Sequence, residues 1–491
     1  MDKSTPEVAW KKRNMLDMKK YDAPKEACGV FGIYAPNEDV ARITFFALYA
    51  LQHRGQESAG IAVSDGKSTR VYKDMGLVSQ VFTEEKLAPL KGHIAIGHNR
   101  YSTKGASRID NAQPFLLESV LGPLGLAHNG NLVNSGELRQ DLLKHGVGLM
   151  SSSDSEVITQ MLAGAVGSNW IERIRLFMVR AKGAYSLTIL TRDTLYAVRD
   201  PWGIRPLCRG KLANGWVVAS ETCALSTIGA TFIREVKPGE IVAINDQGIQ
   251  SMQGAPSARQ ALCAFEFIYF ARPDSLLNGR LIHQVRQELG AAVAAEHPVE
   301  ADWVIGIPDS ATAAAIGYAH AADLPFNEGL IKNRYIGRTF IQPDERLRQL
   351  GIALKFNALA ENLKGKRVVV VDDSIVRGNT SGPIIALLRA SGAQEIHLRV
   401  TSPPIRHPCY MGVDMATYEE LIAHRMSIPE IQRRLGVDSL GYLSVEGLAR
   451  TIGQPCNTLC VACFSGNYPL EIDECEREKM AFDGSIRGID Q

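Results

Sequence analysis

The stretch at 366–382, KRVVVVDDSIVRGNTSG, has the residues of a phosphate site in the order such a site needs. A run of valines leads into two acids, Asp372 and Asp373, then a loop of Gly, Ser and Thr, then a helical segment from about Gly382. Loop amides and a helix N-terminus make an anion site, and small residues let phosphate approach the backbone. Paired acids suit two ribose hydroxyls or their Mg²⁺. An acidic strand end before a capped helix is common in α/β proteins, so the acids alone carry little. The whole stretch is the most specific in the chain.

Cysteines offer a second and a third chemistry. Cys28, in KEACGVFG, opens a strand, where most cysteines are small buried residues. Its company is distinctive: His53, Arg54 and Gly55 in LQHRGQESAG, Arg100 and Tyr101 in GHNRYSTKG, Asn129 and Gly130 in LAHNGNL, and Asp154 in SSSDSE. Each fragment is weak singly, since Asn-Gly is the commonest hairpin signal and His-Arg-Gly can be a solvated turn. Cys460 and Cys463 form a Cys-x-x-Cys, which by itself suits zinc, a redox pair or chance. A tetrahedral metal site needs two further ligands.

These residues need a frame to hold them. Residues 1–27 are polar, basic and aperiodic, a leader without a core of its own. From Cys28 to about Gln253, short alternating runs such as AGIAVSDG, HIAIGHNRYST and GEIVAINDQG predict antiparallel strands and hairpins, with helices over 39–52 and 154–165. Past the polar linker QGAPSARQ the texture changes. DWVIGIP precedes SATAAAIGYAHAA, and KRVVVVDD precedes GPIIALLRASG, which predicts a parallel α/β sheet with both faces covered. The tail, taken as 426–491, reads as helical and carries the last cysteines.

A length of 491 residues calls for two or more domains, and 45% apolar with 22% charged residues is a globular balance. A net charge of +1 leaves no overall footprint for nucleic acid. No apolar run reaches the length of a membrane span. The N-terminus lacks the apolar stretch of a secretory signal, and Asp2, Glu7, Asp17 and Asp22 count against a transit peptide. The expected compartment is the cytoplasm, where the nine cysteines stay reduced and read as nucleophile, metal ligands and core.

Taken in order, Cys-Gly-Val-Phe-Gly, His-Arg-Gly, Arg-Tyr-Ser-Thr, His-Asn-Gly-Asn and Ser-Asp-Ser-Glu resemble the N-terminal-nucleophile glutamine amidotransferases. The resemblance implies an α+β fold over 28–253, an αββα sandwich. It makes Cys28 the nucleophile on the glutamine amide, Asn129 and Gly130 the donors to the oxyanion, and Arg100, Tyr101 and Asp154 the glutamine-binding residues. A thiol that uses its own α-amine as base cannot work while Ala27 is attached, so 1–27 is expected to be a propeptide cut at Ala27–Cys28.

The stretch from Asp372 resembles the phosphoribosyl pyrophosphate (PRPP) loop of type I phosphoribosyltransferases, implying that α/β fold over 261–425. Asp372 and Asp373 would then hold ribose and Mg²⁺, with Ser374, Val376, Arg377, Gly378, Asn379, Thr380 and Ser381 around the 5′-phosphate. Ser310, in VIGIPDSATAAAIGYA, would help hold the metal, and Lys332, Tyr335 and Arg338 would belong to a loop that closes over PRPP. Ala311 stands where that family usually has glycine and Asn379 where it usually has threonine, which bears on the tightness of the phosphate contacts.

Both halves in this order, with RDPWGIRPL and ASETCAL, resemble the amidophosphoribosyltransferase family in its iron–sulfur subgroup. The implied reaction takes glutamine, PRPP and water to 5-phosphoribosylamine, glutamate and pyrophosphate, the first step of purine biosynthesis, with ammonia passed internally. The resemblance also implies purine nucleotides as feedback inhibitors and a homotetramer. Cys263 and Cys409 stand where the subgroup has its remaining ligands, implying a 4Fe–4S cluster on Cys263, Cys409, Cys460 and Cys463; zinc would also suit four thiolates. An amidotransferase feeding a sugar isomerase has no need of the Asp372–Ser381 motif. A scaffold without catalysis has no need of Cys28, Arg100, Asn129, Gly130 and Asp154 together.

Overall fold

The structure, a computed structural model, describes residues 28–101, 107–257, 259–333, 355–413, 415 and 417–472. Alternation along Gly29–Tyr34 sends Phe31 and Ile33 to one face and Val30 to the other, and both faces are buried. That strand lies in the middle of a seven-stranded antiparallel sheet ordered Thr231–Glu235, Cys208–Leu212, Gly215–Ala219, Gly29–Tyr34, Ile94–Arg100, Ser58–Ser64, Thr69–Met75. A six-stranded antiparallel sheet faces it, ordered Gly248–Gln253, Glu240–Asn245, Leu195–Arg199, Gly183–Leu190, Gly122–Leu132, Phe115–Ser119. Val30, Ile96, Ala127, Leu190 and Val242 fill the space between the sheets.

Helices close the two outer faces. Val40–Ala50 packs Leu48 against Phe31 and Ile33, while Asp154–Gly164 and Trp170–Arg180 cover the second sheet. This is the expected αββα sandwich. Asp39 and Ser153 cap the two helices read from the sequence, each side chain accepting a first-turn N–H.

Beyond the linker, four parallel strands form a sheet in the order Trp303–Gly306, Arg367–Asp372, Glu395–Val400, Ser439–Tyr442. The valine run is buried on both sides. Val369 and Val371 face the cluster that holds the helices Ile282–Glu296 and Thr312–Ala322. Val368 and Val370 face Ile384, Ile385 and Leu388 of the helix Ser381–Ala390. The segment read as a helical tail departs from that reading. Its strand Ser439–Tyr442 is the fourth of the sheet, and its helix Val445–Ile452 puts Leu448 and Ile452 into the same core as Val369. Four residues, SLGY, are too few to show a strand period.

The domains share a core. Ala261 N–H donates to Trp202 O at 2.8 Å and Cys263 N–H to Ile204 O at 3.1 Å, so the chain enters the second domain along the surface of the first. Within the second domain the helices Ile282–Glu296 and Thr312–Ala322 cross at glycines. A Cβ on Gly290 would lie 1.8 Å from Ala314 O, and one on Gly317 1.8 Å from Gln287 O. Gly290→Ala is therefore expected to cost about 1–3 kcal/mol, read as a lower midpoint of thermal unfolding; an unchanged midpoint would contradict the close crossing.

Candidate active sites and the junction between them

Strand register builds the first site. Gly29 pairs with Asn99, which brings Cys28 to the end of Ile94–Arg100. The Cys28 thiol donates to Tyr101 O at 3.2 Å, and Tyr101 N–H points back at Sγ at 3.4 Å. Burial pushes this thiol above its ordinary value, opposed by the Tyr101 backbone and the Arg100 charge. Arg100 lies 3.5 Å from Glu57, a residue the motifs did not single out.

Asn129 and Gly130 sit on the long strand of the facing sheet, Gly122–Leu132. Both polar atoms of the Asn129 amide are buried without a hydrogen-bond partner among the described residues. Gly130 has φ +148°, and a Cβ there would meet Ala184 O at 2.0 Å. Asp154, in the first turn of its helix, accepts from Leu132 N–H at 3.0 Å. His98 and His128 order these strands. His98 bonds the His128 carbonyl at 3.0 Å and His128 bonds Ser155 Oγ at 3.1 Å. Burial pulls His98 down to about 3 and lowers His128 as well, so both rings stay neutral.

The second site stands at the C-terminal end of Arg367–Asp372. Asp372 and Asp373 are buried, with Asp373 N–H donating to Asp372 at 2.9 Å and Ser374 Oγ to Asp373 at 2.7 Å. Burial raises the Asp373 carboxyl, and hydrogen bonds from Ser310 and Ser374 oppose that, as does the Arg286 charge. Ser310 thus reaches the acid pair. Gly378 takes φ +77° in the loop, and Arg377 pairs with Glu420 at 3.2 Å. Val376 is buried against the tail, its carbonyl accepting from Ile422 N–H at 2.9 Å, and Asn379 and Thr380 lead into the helix that Ser381 opens. Lys332 pairs with Asp309 of the loop after Trp303–Gly306. Tyr335 and Arg338 lie outside the described residues.

A buried charge cluster joins the domains. Arg54 Nε donates to the Cys28 carbonyl at 3.1 Å, and its fork reaches Glu266 of the second domain at 2.8 and 3.0 Å and Glu221 of the first. Glu221 also accepts from His53, from Arg272 N–H at 2.9 Å and from Ser275 Oγ at 2.7 Å. Burial opposes the charge on Arg54, but Glu266 and Glu221 hold it above its ordinary value. Glu266 had a sequence signal, as the single charge within ALCAFEFIYFA, where an unpaired carboxylate would be costly. A second contact lies at Gly412, where a Cβ would come 2.7 Å from the Gly130 carbonyl carbon. Next to it, Asn131 Nδ2 donates to Tyr410 O at 2.9 Å. Nothing in the sequence pointed to Gly412.

Four cysteines lie within electrostatic range of one another. Cys263 and Cys460 are partners on the short parallel strands Leu262–Cys263 and Leu459–Cys460. Cys463 is raised first by burial and then by the charges of Cys263, Cys409 and Cys460. Met411 N–H donates to Cys409 Sγ at 3.3 Å. No described cysteine is in a disulfide, and among the described residues no group of three His, Cys, Asp or Glu side chains is placed to hold one metal ion.

The folds and the two sites define a class: a glutamine amidotransferase domain joined to a phosphoribosyltransferase-like domain. A family model described as a glutamine amidotransferase domain matches residues 98–227. The amidophosphoribosyltransferase of Synechococcus elongatus is 51% identical over 472 residues, covering 95% of this chain and 96% of that one. That of Rattus norvegicus is 47% identical over 508 residues, covering 91% and 98%. A solved glutamine PRPP amidotransferase from B. subtilis, complexed with ADP and GMP, matches with TM-score 0.87 and 46% identity, covering 91% of this chain and 98% of that one. The chain belongs to the amidophosphoribosyltransferase family, the enzymes of the first step of purine biosynthesis.

Gly412→Ala must push its loop or Gly130 aside. Glutamine-dependent turnover is expected to fall by about 10²-fold, with turnover on free ammonia within about twofold of the parent. Steady-state assays with the two nitrogen donors check this, and equal losses with both would contradict it.

Proposed function

We propose that the chain converts glutamine, PRPP and water to 5-phosphoribosylamine, glutamate and pyrophosphate, ammonia passing internally between the sites. The carrying observation is the Asn129 amide, buried and unpartnered beside Gly130. Leaving such a group unpaired costs about 1–3 kcal/mol, which a reacting oxygen would restore. The Cys28 thiol attacks the glutamine amide carbon and its proton passes to the Cys28 α-amine, then to the departing ammonia. Water hydrolyses the thioester to glutamate. Burial disfavours the thiolate, so the reaction needs that amine, whose reference pKa is roughly 7.7–8.0.

Asn129 Nδ2 and the Gly130 N–H serve the oxyanion. Arg100 takes the substrate α-carboxylate, Asp154 its α-ammonium, and Tyr101 holds the thiol. This chemistry requires removal of residues 1–27 at Ala27–Cys28, leaving an amidotransferase domain over 28–253 ahead of the phosphoribosyltransferase domain from 261.

At the second site Asp372 and Asp373 take the ribose hydroxyls, with Ser310 beside them. The carboxylates and hydroxyl form a hard oxygen set, which fits Mg²⁺. When bound, Mg²⁺ would offset charge on the departing pyrophosphate. Ser374, Val376, Arg377, Gly378, Asn379, Thr380 and Ser381 form the 5′-phosphate cradle at the start of the helix Ser381–Ala390. Lys332, Tyr335 and Arg338 close over PRPP.

Cys263, Cys409, Cys460 and Cys463 hold a 4Fe–4S cluster. The set is all thiol and within mutual electrostatic range, a donor set that suits iron and sulfide. The cluster would cross-link the 426–472 segment to the rest. The ADP and GMP complex of the B. subtilis protein supports purine nucleotides as inhibitors. Family resemblance supports a homotetramer, and the described cysteines, none of them in a disulfide, support a reducing, cytoplasmic setting.

Cys28→Ser is expected to abolish PRPP-dependent release of glutamate while retaining phosphoribosylamine formation from free ammonia. Loss of both activities in folded protein would sink the two-site reading. Intact mass of the active enzyme is expected to begin at Cys28; full activity with Met1–Ala27 attached would rule out the α-amine as base.

A further inference from the structure

Arg205, in the turn RDPWGIRPL, is 0% exposed, and none of its three guanidinium nitrogens has a hydrogen-bond partner among the described residues. Its charge is answered only at a distance. Glu266 lies 3.5 Å away, already bonded twice by Arg54, and the Phe270 ring lies 5.7 Å from the guanidinium carbon. A buried guanidinium carries five N–H donors, and leaving them unused is among the costliest arrangements in a protein interior. The four-cysteine site is close by. Ile204 accepts from Cys263 N–H at 3.1 Å, so Arg205 follows directly on the contact that places Cys263. Its charge is felt by the thiols of both Cys263 and Cys460.

Resting on the reading that these cysteines hold an iron–sulfur cluster, we propose that Arg205 is a positioning residue for that cluster, donating hydrogen bonds to the sulfurs at Cys263 and Cys460 and acting as the buried counter-charge. Thiolates and sulfides supply the acceptors that Arg205 lacks, and Arg205 supplies a cation to a site that is otherwise all acceptor. Hydrogen bonds to sulfur and net local charge set the reduction potential of such a cluster. A buried cation favours the reduced, more negative state. Glu266 is shared, bonding Arg54 on the Cys28 side and balancing Arg205 on the cysteine side.

The test uses full-length protein purified without oxygen, as the parent, Arg205→Gln, Arg205→Lys and Glu266→Gln. Iron and acid-labile sulfide are measured, and the cluster absorbance is titrated against potential. Arg205→Gln is expected to disfavour reduction by about tenfold or more, a negative shift of about 59 mV per tenfold for one electron. Arg205→Lys, which keeps the charge, is expected to recover most of that shift. Glu266→Gln removes the competing carboxylate and is expected to shift the potential the other way, which keeps the proposal testable if Arg205→Gln does not accumulate. A cluster-loaded Arg205→Gln or Glu266→Gln protein with the parent's potential overturns the role of Arg205, as does Arg205→Lys behaving like Arg205→Gln. A parent protein without iron and sulfide overturns the cluster reading instead.

Discussion

A guanidinium and two carboxylates buried at the domain junction constrain much of what surrounds them. Moving Arg54, Glu221 and Glu266 out of water costs several kcal/mol per ion, which is recovered only if nearly every donor and acceptor is used. Here they are: Glu221 takes bonds from His53, Arg54, the Arg272 N–H and Ser275, and Arg54 spends its Nε on the Cys28 carbonyl. Removing one member strands a buried charge, which typically costs about 3–5 kcal/mol. Arg54 and Glu221 belong to the first domain, whereas Glu266, Arg272 and Ser275 belong to the second. Cys28, the proposed nucleophile, is therefore anchored by a network that closes only when the domains are docked.

The Asn129–Gly130 side of the same site is touched independently. Gly412 packs on Gly130 so tightly that no side chain fits, and Tyr410 takes a bond from Asn131. The short segment 266–271 also has a second side. While Glu266 turns to Arg54, the carbonyls of Phe267 and Ala271 accept from Arg286 at 3.0 and 2.7 Å, and the charge of Arg286 acts on Asp373. One turn of chain thus has contacts to both sites. Displacing it would disturb the Cys28 carbonyl and Asp373 together, a geometric basis for coupling between the two proposed sites.

Much of this was readable because burial on two faces leaves a strong trace in sequence. The valine run before Asp372 and the alternation along Gly29–Tyr34 each predict their strand, and Asp39 and Ser153 mark their helices. The candidate site residues stand out for another reason: backbone register and small-residue loops need particular types at fixed spacing, as at Asn129-Gly130 and Asp372–Ser381. Partnerships between distant segments left little trace. Glu266 shows as a charge in an apolar run, but its pairing with Arg54, 212 residues away, does not. Gly412 resembles any turn glycine until it is placed against Gly130. Ser439–Tyr442 is too short for its period to be seen.

The proposed nucleophile, Cys28, shows why a free terminus would be useful at this position. Burial keeps competing water from the Cys28 thiol but also holds it in its protonated, poorly nucleophilic form. The nearest positive charge, Arg100, is turned toward Glu57, and the nearby histidines are held neutral by burial, with His98 and His128 committed to backbone carbonyls. No described side chain bonded to the thiol is placed to take its proton, since its contacts are with the Tyr101 backbone. On the proposed mechanism that role falls to the α-amine of Cys28 itself. On that proposal, burial of the thiol and release of the terminus would be two parts of one arrangement, with the thiol protected until substrate fills the site and Asn129 gains its partner.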